Sequence, residues 1–269
     1  MARWSEVSSD AWVAHTESDD AKVVRSVLGP LMLRALEPQG KAVLDIGCGE
    51  GYFARVLKDC GAGRVAGLDI SPDFIKEAEA RDPDGDYHVH DIQSGPCFGP
   101  GDFDAVSAFM VLMYLADLEA AYRNISTILR PSGRLVACIT NPYYSEPVGY
   151  RRWRLKDGLD RYVDPRKMPW KLVGRQLEGA LRRQFDYVLH IRNYFDSRTA
   201  EKTLSGAEVL HVHRPFSDYL NMAMKHDLHL EAMWEPQIPA DLHAQYRNEP
   251  VAQALAVVPI LFVLVFVKT

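Results

Sequence analysis

Long apolar runs are scarce in this chain of 269 residues. The strongest, Ala256 to Val267, falls short of the roughly 20 residues that a membrane-spanning helix needs, and Pro259 interrupts it. Its Val, Ile and Phe content points to a buried strand, so no membrane association is expected. The first residues, Met-Ala-Arg-Trp-Ser-Glu, hold no apolar run, so no signal peptide is expected. Cysteine is sparse: Cys48, Cys60, Cys97 and Cys138 are scattered without the paired spacing of metal ligands. They read as reduced thiols of a cytoplasmic protein, and no metal site is expected. Excess positive charge is absent as well. A net charge of −5 argues against a general nucleic-acid footprint. No repeat or low-complexity tract is evident. The apolar and charged fractions, 47% and 25%, are those of a soluble globular protein. The length suits one large domain, or one domain with a sizeable insertion. A monomer or homodimer is expected.

Against these absences, residues 43–51 stand out: Val-Leu-Asp-Ile-Gly-Cys-Gly-Glu-Gly. An acid ends an apolar run, and Gly47, Gly49 and Gly51 follow at alternate positions. Glycine permits a tight turn and close approach of a ligand to the backbone. A helical pattern begins at Tyr52. Strand, glycine turn and helix together make a nucleotide-cofactor site.

The rest of the chain supports this frame. Apolar spacing predicts a helix over 20–36, stopped by Pro38-Gln39-Gly40, and a first strand over 41–46. A helix follows at about 51–60, then a strand from Arg64 to Ile70. Ser71-Pro72-Asp73 opens the next helix with a cap residue and an early proline. Strands are expected from Asp86 to His90 and from Phe103 to Met110, and a helix at about 117–129. Pro131-Ser132-Gly133 reads as a turn before a fifth strand, Arg134 to Thr140. Alternating strands and helices imply an α/β fold with parallel strands and right-handed crossovers. The alternation breaks after Asn141-Pro142, and residues 141–213 show only weak periodicity. A helix over Pro215 to Lys225 and strands over His229 to Trp234 and Val257 to Val267 complete the core. The chain thus divides into cap helices (1–40), a cofactor-binding core (41–140), a substrate-lid insertion (141–213) and the last helix and strands (214–269).

The glycine loop does not suit every nucleotide. A dinucleotide fingerprint wants a third glycine at the sixth position, which here is Tyr52. A phosphate loop wants Gly-Lys-Ser/Thr, which is absent. Asp45 would repel a pyrophosphate and suits a cationic ligand. Asp69 lies twenty residues beyond Gly49 at the end of the second strand, where a carboxylate can accept from both ribose hydroxyls. The ligand is therefore a nucleoside with a positively charged tail, and S-adenosylmethionine fits that description.

On these residues the chain resembles the class I S-adenosylmethionine-dependent methyltransferases, in their bacterial small-molecule branch. The matching segments are Val43 to Gly51, Gly67-Leu-Asp-Ile-Ser71, His90-Asp91-Ile92, Phe103-Asp104-Ala-Val106 and Leu129 to Leu135. Val212 to Leu220 and Leu230 to Pro236 are similar to the tail of that branch. The resemblance implies a Rossmann-like seven-stranded sheet with an antiparallel last strand. It also implies that Asp45 and the Gly47–Cys48–Gly49 backbone hold the methionine end. Asp69 would hold the ribose and Ile70 would pack on the adenine. Asp91 would accept from the adenine amino group with Ile92 beside it, and Phe109 would line the sulfonium side. In many small-molecule members an N-terminal segment folds over the cofactor, a role open to Trp12 or His15. The Asn-Pro-Pro-Tyr type of motif of amino-group DNA methylation is missing after the fourth strand.

The insertion differs in character from the core. Residues 141–192 hold twelve Lys or Arg against six Asp or Glu, together with eight aromatics. Placed after the fifth strand, they lie over the carboxyl edge of the sheet, where α/β sites open. A substrate lid with Tyr143, Tyr144, Tyr150, Trp153, His190 and Arg192 is expected. Methyl transfer relies mainly on proximity and orientation. An O–H or protonated amine acceptor also has to lose a proton, and histidine is the usual base. His211 and His213, two apart and on one side of an extended segment, are the candidate catalytic residues. The expected reaction is methylation of a small organic molecule, oxygen before nitrogen or carbon, with S-adenosylhomocysteine as product. The alternative is a fold relative that binds the cofactor and catalyses a cyclisation or rearrangement, or only binds.

Overall fold

The computed structural model of the chain describes residue 4 and residues 9–143, 149–155, 162–163, 185–191, 194–195, 197–204, 207–247, 249–256 and 259–269. Helices α1 (Ser9–Thr16) and α2 (Asp19–Leu36) precede β1 (Ala42–Ile46), α3 (Tyr52–Asp59), β2 (Arg64–Asp69), α4 (Pro72–Arg81), β3 (Asp86–Val89) and β4 (Phe103–Phe109). A 3-10 turn (Leu112–Tyr114) leads to α5 (Leu118–Ile128) and β5 (Leu129–Thr140). After the inserted strands come α6 (Phe216–Met224), β11 (Leu228–Trp234), α7 (Ala240–Gln245), α8 (Pro250–Leu255) and β12 (Leu261–Lys268). The local signals account for several starts. Ser18 caps α2, accepting from the Ala21 amide, and Ser71 caps α4, accepting from the Phe74 amide, with Pro72 at the first helical position.

The seven core strands form one sheet in the order β11-β12-β5-β4-β1-β2-β3. Strands β3, β2, β1, β4 and β5 run parallel. The last strand, β12, is antiparallel to both its neighbours, β5 and β11. The α/β Rossmann-like sheet expected from the sequence is the observed one. Alternation along β12 shows why it stays buried. Phe262, Leu264 and Phe266 face the cluster that contains α5 and α6. Leu261, Val263 and Val265 face the cluster that contains α2, α3 and α8. Each such side chain, fully buried, contributes roughly 1.5–3 kcal/mol. Helices therefore cover both faces, and the crevice where strand order reverses lies between the carboxyl ends of β1 and β4.

Three features differ from the expected pattern. Pro131-Ser132-Gly133 does not precede the fifth strand but lies inside it, as a bulge in the β4–β5 ladder, with Ser132 at φ 62°. Helices α1, α7 and α8 had too few periodic residues to be recognised. The insertion also holds more regular structure than its weak periodicity suggested. Strands β6 (Gly149–Leu155), β7 (Tyr162–Val163) and β8 (Phe185–Ile191) form an antiparallel sheet in the order β7-β6-β8. Strands β9 (Arg198–Leu204) and β10 (Ala207–His213) form a hairpin. A run such as Gly-Tyr-Arg-Arg-Trp-Arg-Leu puts charge on both faces, which erases the period-two signal. Among the described residues, no helix is long and apolar enough to cross a membrane.

Candidate functional site

The glycine loop sits at the carboxyl end of β1, in the crevice beside β4. Gly47 has φ 63°, and a Cβ there would lie 2.5 Å from Val111 Cγ2. Gly51, φ 78°, caps α3, and a Cβ there would meet Tyr87 Oη at 2.7 Å. Only glycine fits either position, so the loop presents bare backbone to a ligand.

Asp69, at the end of β2, holds that backbone in place. Its two carboxylate oxygens accept from the Gly49 amide at 3.0 Å and the Ser71 amide at 2.9 Å. Burial pushes its pKa up to about 6, opposed by the amides of Ser71, Gly49 and Ile70. The Cys48 amide donates to the Leu68 carbonyl at 3.0 Å, and burial raises its thiol pKa well above the usual value. Asp45 is 1% exposed and accepts from Ser107 Oγ on the facing residue of β4. Burial is the main cause that lifts its pKa to about 7. The Ser107 bond opposes the rise, and the charges of Asp69 and Glu50 add to it. A buried acid in this condition favours an approaching cation, which would return it to the ionised form.

Asp91 follows directly, because the His90 amide donates to the Asp69 carbonyl at 2.8 Å. One Asp91 oxygen accepts from both the backbone and side-chain nitrogens of Gln93, at 2.9 and 3.0 Å. Ile70 is half-buried beside Asp69. Ile92 is buried in the core, and its carbonyl accepts from Asn124 Nδ2 at 2.6 Å. Phe109, half-buried at the end of β4, packs on Phe53 with ring centroids 5.1 Å apart. The cofactor-binding candidates Asp45, Gly47, Cys48, Gly49, Asp69, Ile70 and Asp91 therefore share one edge.

The sequence reading missed Glu50. It is 3% exposed and bridges Arg25 of α2 at 3.0 Å and Arg55 of α3 at 2.9 Å. Arg25 also lies 3.8 Å over the Tyr52 ring. Arg55, five residues on and one helical turn into α3, was the available signal. Trp4 was also missed. Its ring packs edge-on to Tyr114 at 4.9 Å and to Phe74 at 6.5 Å, joining the segments after β4 and β2. Trp12 lies on α1. His15, further along α1, is half-buried, and burial lowers its imidazole pKa.

The histidines expected as catalytic both lie on β10, each 1% exposed. His211 Nε2 is 3.3 Å from Thr140 Oγ1 at the end of β5, and its ring is edge-on to Tyr114 at 5.8 Å. His213 Nε2 is 2.8 Å from the Tyr194 carbonyl. Tyr143 is 41% exposed and stacks face to face on Tyr194, at 4.4 Å and 3°. Tyr150 and His190 are register partners across the β6–β8 ladder, and Trp153 lies three residues along β6. Tyr144 and Arg192 lie outside the described residues.

A cradle of bare glycine backbone and a buried, cation-seeking acid fit a cationic nucleoside, and comparison with known proteins points the same way. Residues 44–137 match the methyltransferase domain family. The malonyl-[acyl-carrier protein] O-methyltransferase of Serratia marcescens is 29% identical over 65% of this chain and 66% of that protein. The ubiquinone biosynthesis O-methyltransferase of Xanthomonas axonopodis pv. citri (strain 306) is 32% identical over 39% of this chain and 46% of that protein. The chain thus spans only part of the length of these relatives. A crystal structure of an S-adenosylmethionine-dependent methyltransferase from Mesorhizobium loti shares the fold. Its TM-score is 0.67 at 21% identity, over 89% of this chain and 96% of that one. Glycine loop, sheet order and domain match agree: residues 44–137 match the methyltransferase domain family, and the chain shares its fold with that S-adenosylmethionine-dependent methyltransferase.

Proposed function

We propose that this chain binds S-adenosylmethionine and transfers its methyl group to a small organic molecule, with oxygen as the favoured acceptor and S-adenosylhomocysteine as product. The observation that carries this reading is the buried Asp45, with its raised pKa, beside a loop that Gly47 leaves open to a ligand. Asp45 and the loop backbone hold the methionine end, and Asp69 and Asp91 hold the nucleoside. The preference for oxygen is supported by the two O-methyltransferase relatives. The aromatic and basic insertion, with Tyr143, Tyr150, Trp153 and His190, forms the acceptor side as a lid. Cysteines free of disulfides support a cytoplasmic location.

Calorimetry with S-adenosylmethionine, S-adenosylhomocysteine and NAD tests the cofactor. The first two are expected to bind and NAD is not; NAD binding alone would sink the reading. Asp69→Ala is expected to weaken nucleoside binding by roughly tenfold or more, the loss of a charged hydrogen-bonding partner. Unchanged affinity would remove its ribose role. Mass spectrometry of a metabolite screen then identifies the acceptor by the gain of one methyl group. Tight cofactor binding with isomerised, unmethylated product would instead support the cyclisation reading.

A further inference from the structure

The segment that follows β3, from His90 to Gly95, is anchored on two sides. Towards β2, the His90 amide donates to the Asp69 carbonyl at 2.8 Å. Towards α5, Asn124 Nδ2 donates to the Ile92 carbonyl at 2.6 Å, and Asn124 is buried. Between these two anchors, the Asp91 carbonyl accepts from the Ser94 amide at 2.9 Å and from Ser94 Oγ at 2.8 Å. The Asp91 backbone therefore lies next to the end of β2, where Asp69 accepts from the glycine loop.

One further residue holds the Asp91 carboxylate. Gln93 is half-buried, and both ends of its side-chain amide are engaged. Its Oε1 accepts from the Asp117 amide at 2.7 Å, and its Nε2 donates to Asp91 Oδ1 at 3.0 Å. A backbone N–H only donates, so the carboxamide has one orientation: oxygen towards α5 and nitrogen towards Asp91. Asp117 is itself fixed as the N-cap of α5, because its Oδ1 accepts from the Ala120 amide at 2.9 Å. The Gln93 backbone amide donates to the same Asp91 Oδ1 at 2.9 Å. Both bonds load one oxygen, and among the described residues Oδ2 is the one left to a ligand.

We infer that Gln93 is a positioning residue that orients Asp91 so that Oδ2 accepts from the amino group of adenine, and thereby makes the nucleoside site select adenine over hypoxanthine. This rests on the reading of S-adenosylmethionine as the cofactor. Adenine carries an amino donor where hypoxanthine carries a carbonyl oxygen. An ionised carboxylate only accepts, so in a fixed orientation it attracts the first and repels the second. Released from Gln93, the Asp91 side chain can swing to water, and the preference goes with it. The selectivity thus traces back through Gln93 to the cap of α5.

Calorimetry of the full-length protein with S-adenosylhomocysteine and with S-inosylhomocysteine, its deaminated analogue, tests this without knowledge of the acceptor. The wild type is expected to bind the first about tenfold tighter or more, the worth of one hydrogen bond to a charged group. Gln93→Glu keeps the side-chain length and the acceptor for Asp117, but sets a second carboxylate oxygen against Asp91 Oδ1. The ratio of the two affinities is expected to fall below about threefold, mainly through weaker binding of S-adenosylhomocysteine. Gln93→Ala removes the brace outright, is expected to give the same fall, and serves if the first variant does not fold. Asp91→Ala is expected to abolish the ratio, and adding Gln93→Ala to it should change the ratio no further. A further change there would break the link through Asp91 and overturn the inference. A brace of purely structural value would weaken both ligands alike and keep the wild-type ratio. That result overturns the inference, as does a wild type that binds the two ligands equally. Failure of the wild type to bind either ligand overturns the methyl-transfer reading itself.

Discussion

Burial raises the Asp45 carboxyl far above the usual aspartate range, which makes its titration measurable. Its pKa in the folded chain is about 7, against 3.8 for the unperturbed group. As pH rises from about 4, the unfolded chain releases this proton first, so ionisation favours unfolding. The stabilisation is complete below about pH 4 and is lost as pH rises to about 7. Asp69 acts in the same direction over a narrower window, up to about 6. Urea unfolding is therefore expected to show the ligand-free wild type losing roughly 2–3 kcal/mol relative to Asp45→Asn between pH 5 and pH 8. Cofactor affinity should rise over the same interval in the wild type and stay flat in the variant. If both proteins respond identically to pH in both measurements, Asp45 does not have this role.

At the scale of elements, the glycine loop is held from two helices. Glu50 joins Arg25 of α2 to Arg55 of α3, and its side chain is 4% exposed while the two arginines keep 21% and 27%. Removing Glu50 strands two cations that still reach water, whereas removing Arg25 leaves Glu50 with Arg55. Glu50→Ala is thus expected to cost about 2–3 kcal/mol in denaturant unfolding, and Arg25→Ala about 1 kcal/mol. Equal small losses would show that the network does not support the loop. The bulge in β5 makes a related point about legibility. Pro131-Ser132-Gly133 was recognisable as a turn, but a turn and a bulge use the same residues, and only the register against β4 distinguishes them.

For the molecule as a whole, ligand binding and folding are linked. A cofactor present at a hundred times its dissociation constant stabilises the native state by about 2.7 kcal/mol. For a chain of this size that corresponds to a rise in Tm of roughly 5–10 °C. Thermal unfolding is expected to shift by this amount with S-adenosylhomocysteine and not with NAD. A shift with NAD and none with S-adenosylhomocysteine would reverse the choice of cofactor drawn from Tyr52 and Asp45.

The order of strands and helices from α2 to β5, and the placing of the glycine loop and of Asp45, Asp69 and Asp91 near strand ends, were legible in the sequence. Each rests on interactions between near neighbours: a period of two or 3.6, a cap, a turn, a fixed count from one strand end to the next. The tertiary structure decided what depends on distant residues meeting. It brought Ser107 to Asp45, Arg25 to Glu50, and Trp4 to Tyr114 and Phe74. It also separated His211 from His213, which look equivalent as alternate residues of one strand. Their difference comes from Thr140 and Tyr114 on one side and the Tyr194 carbonyl on the other. A hydrogen bond depends on which atom lies within about 3 Å, and for residues far apart in the chain only the packing of the sheet and its insertion sets that.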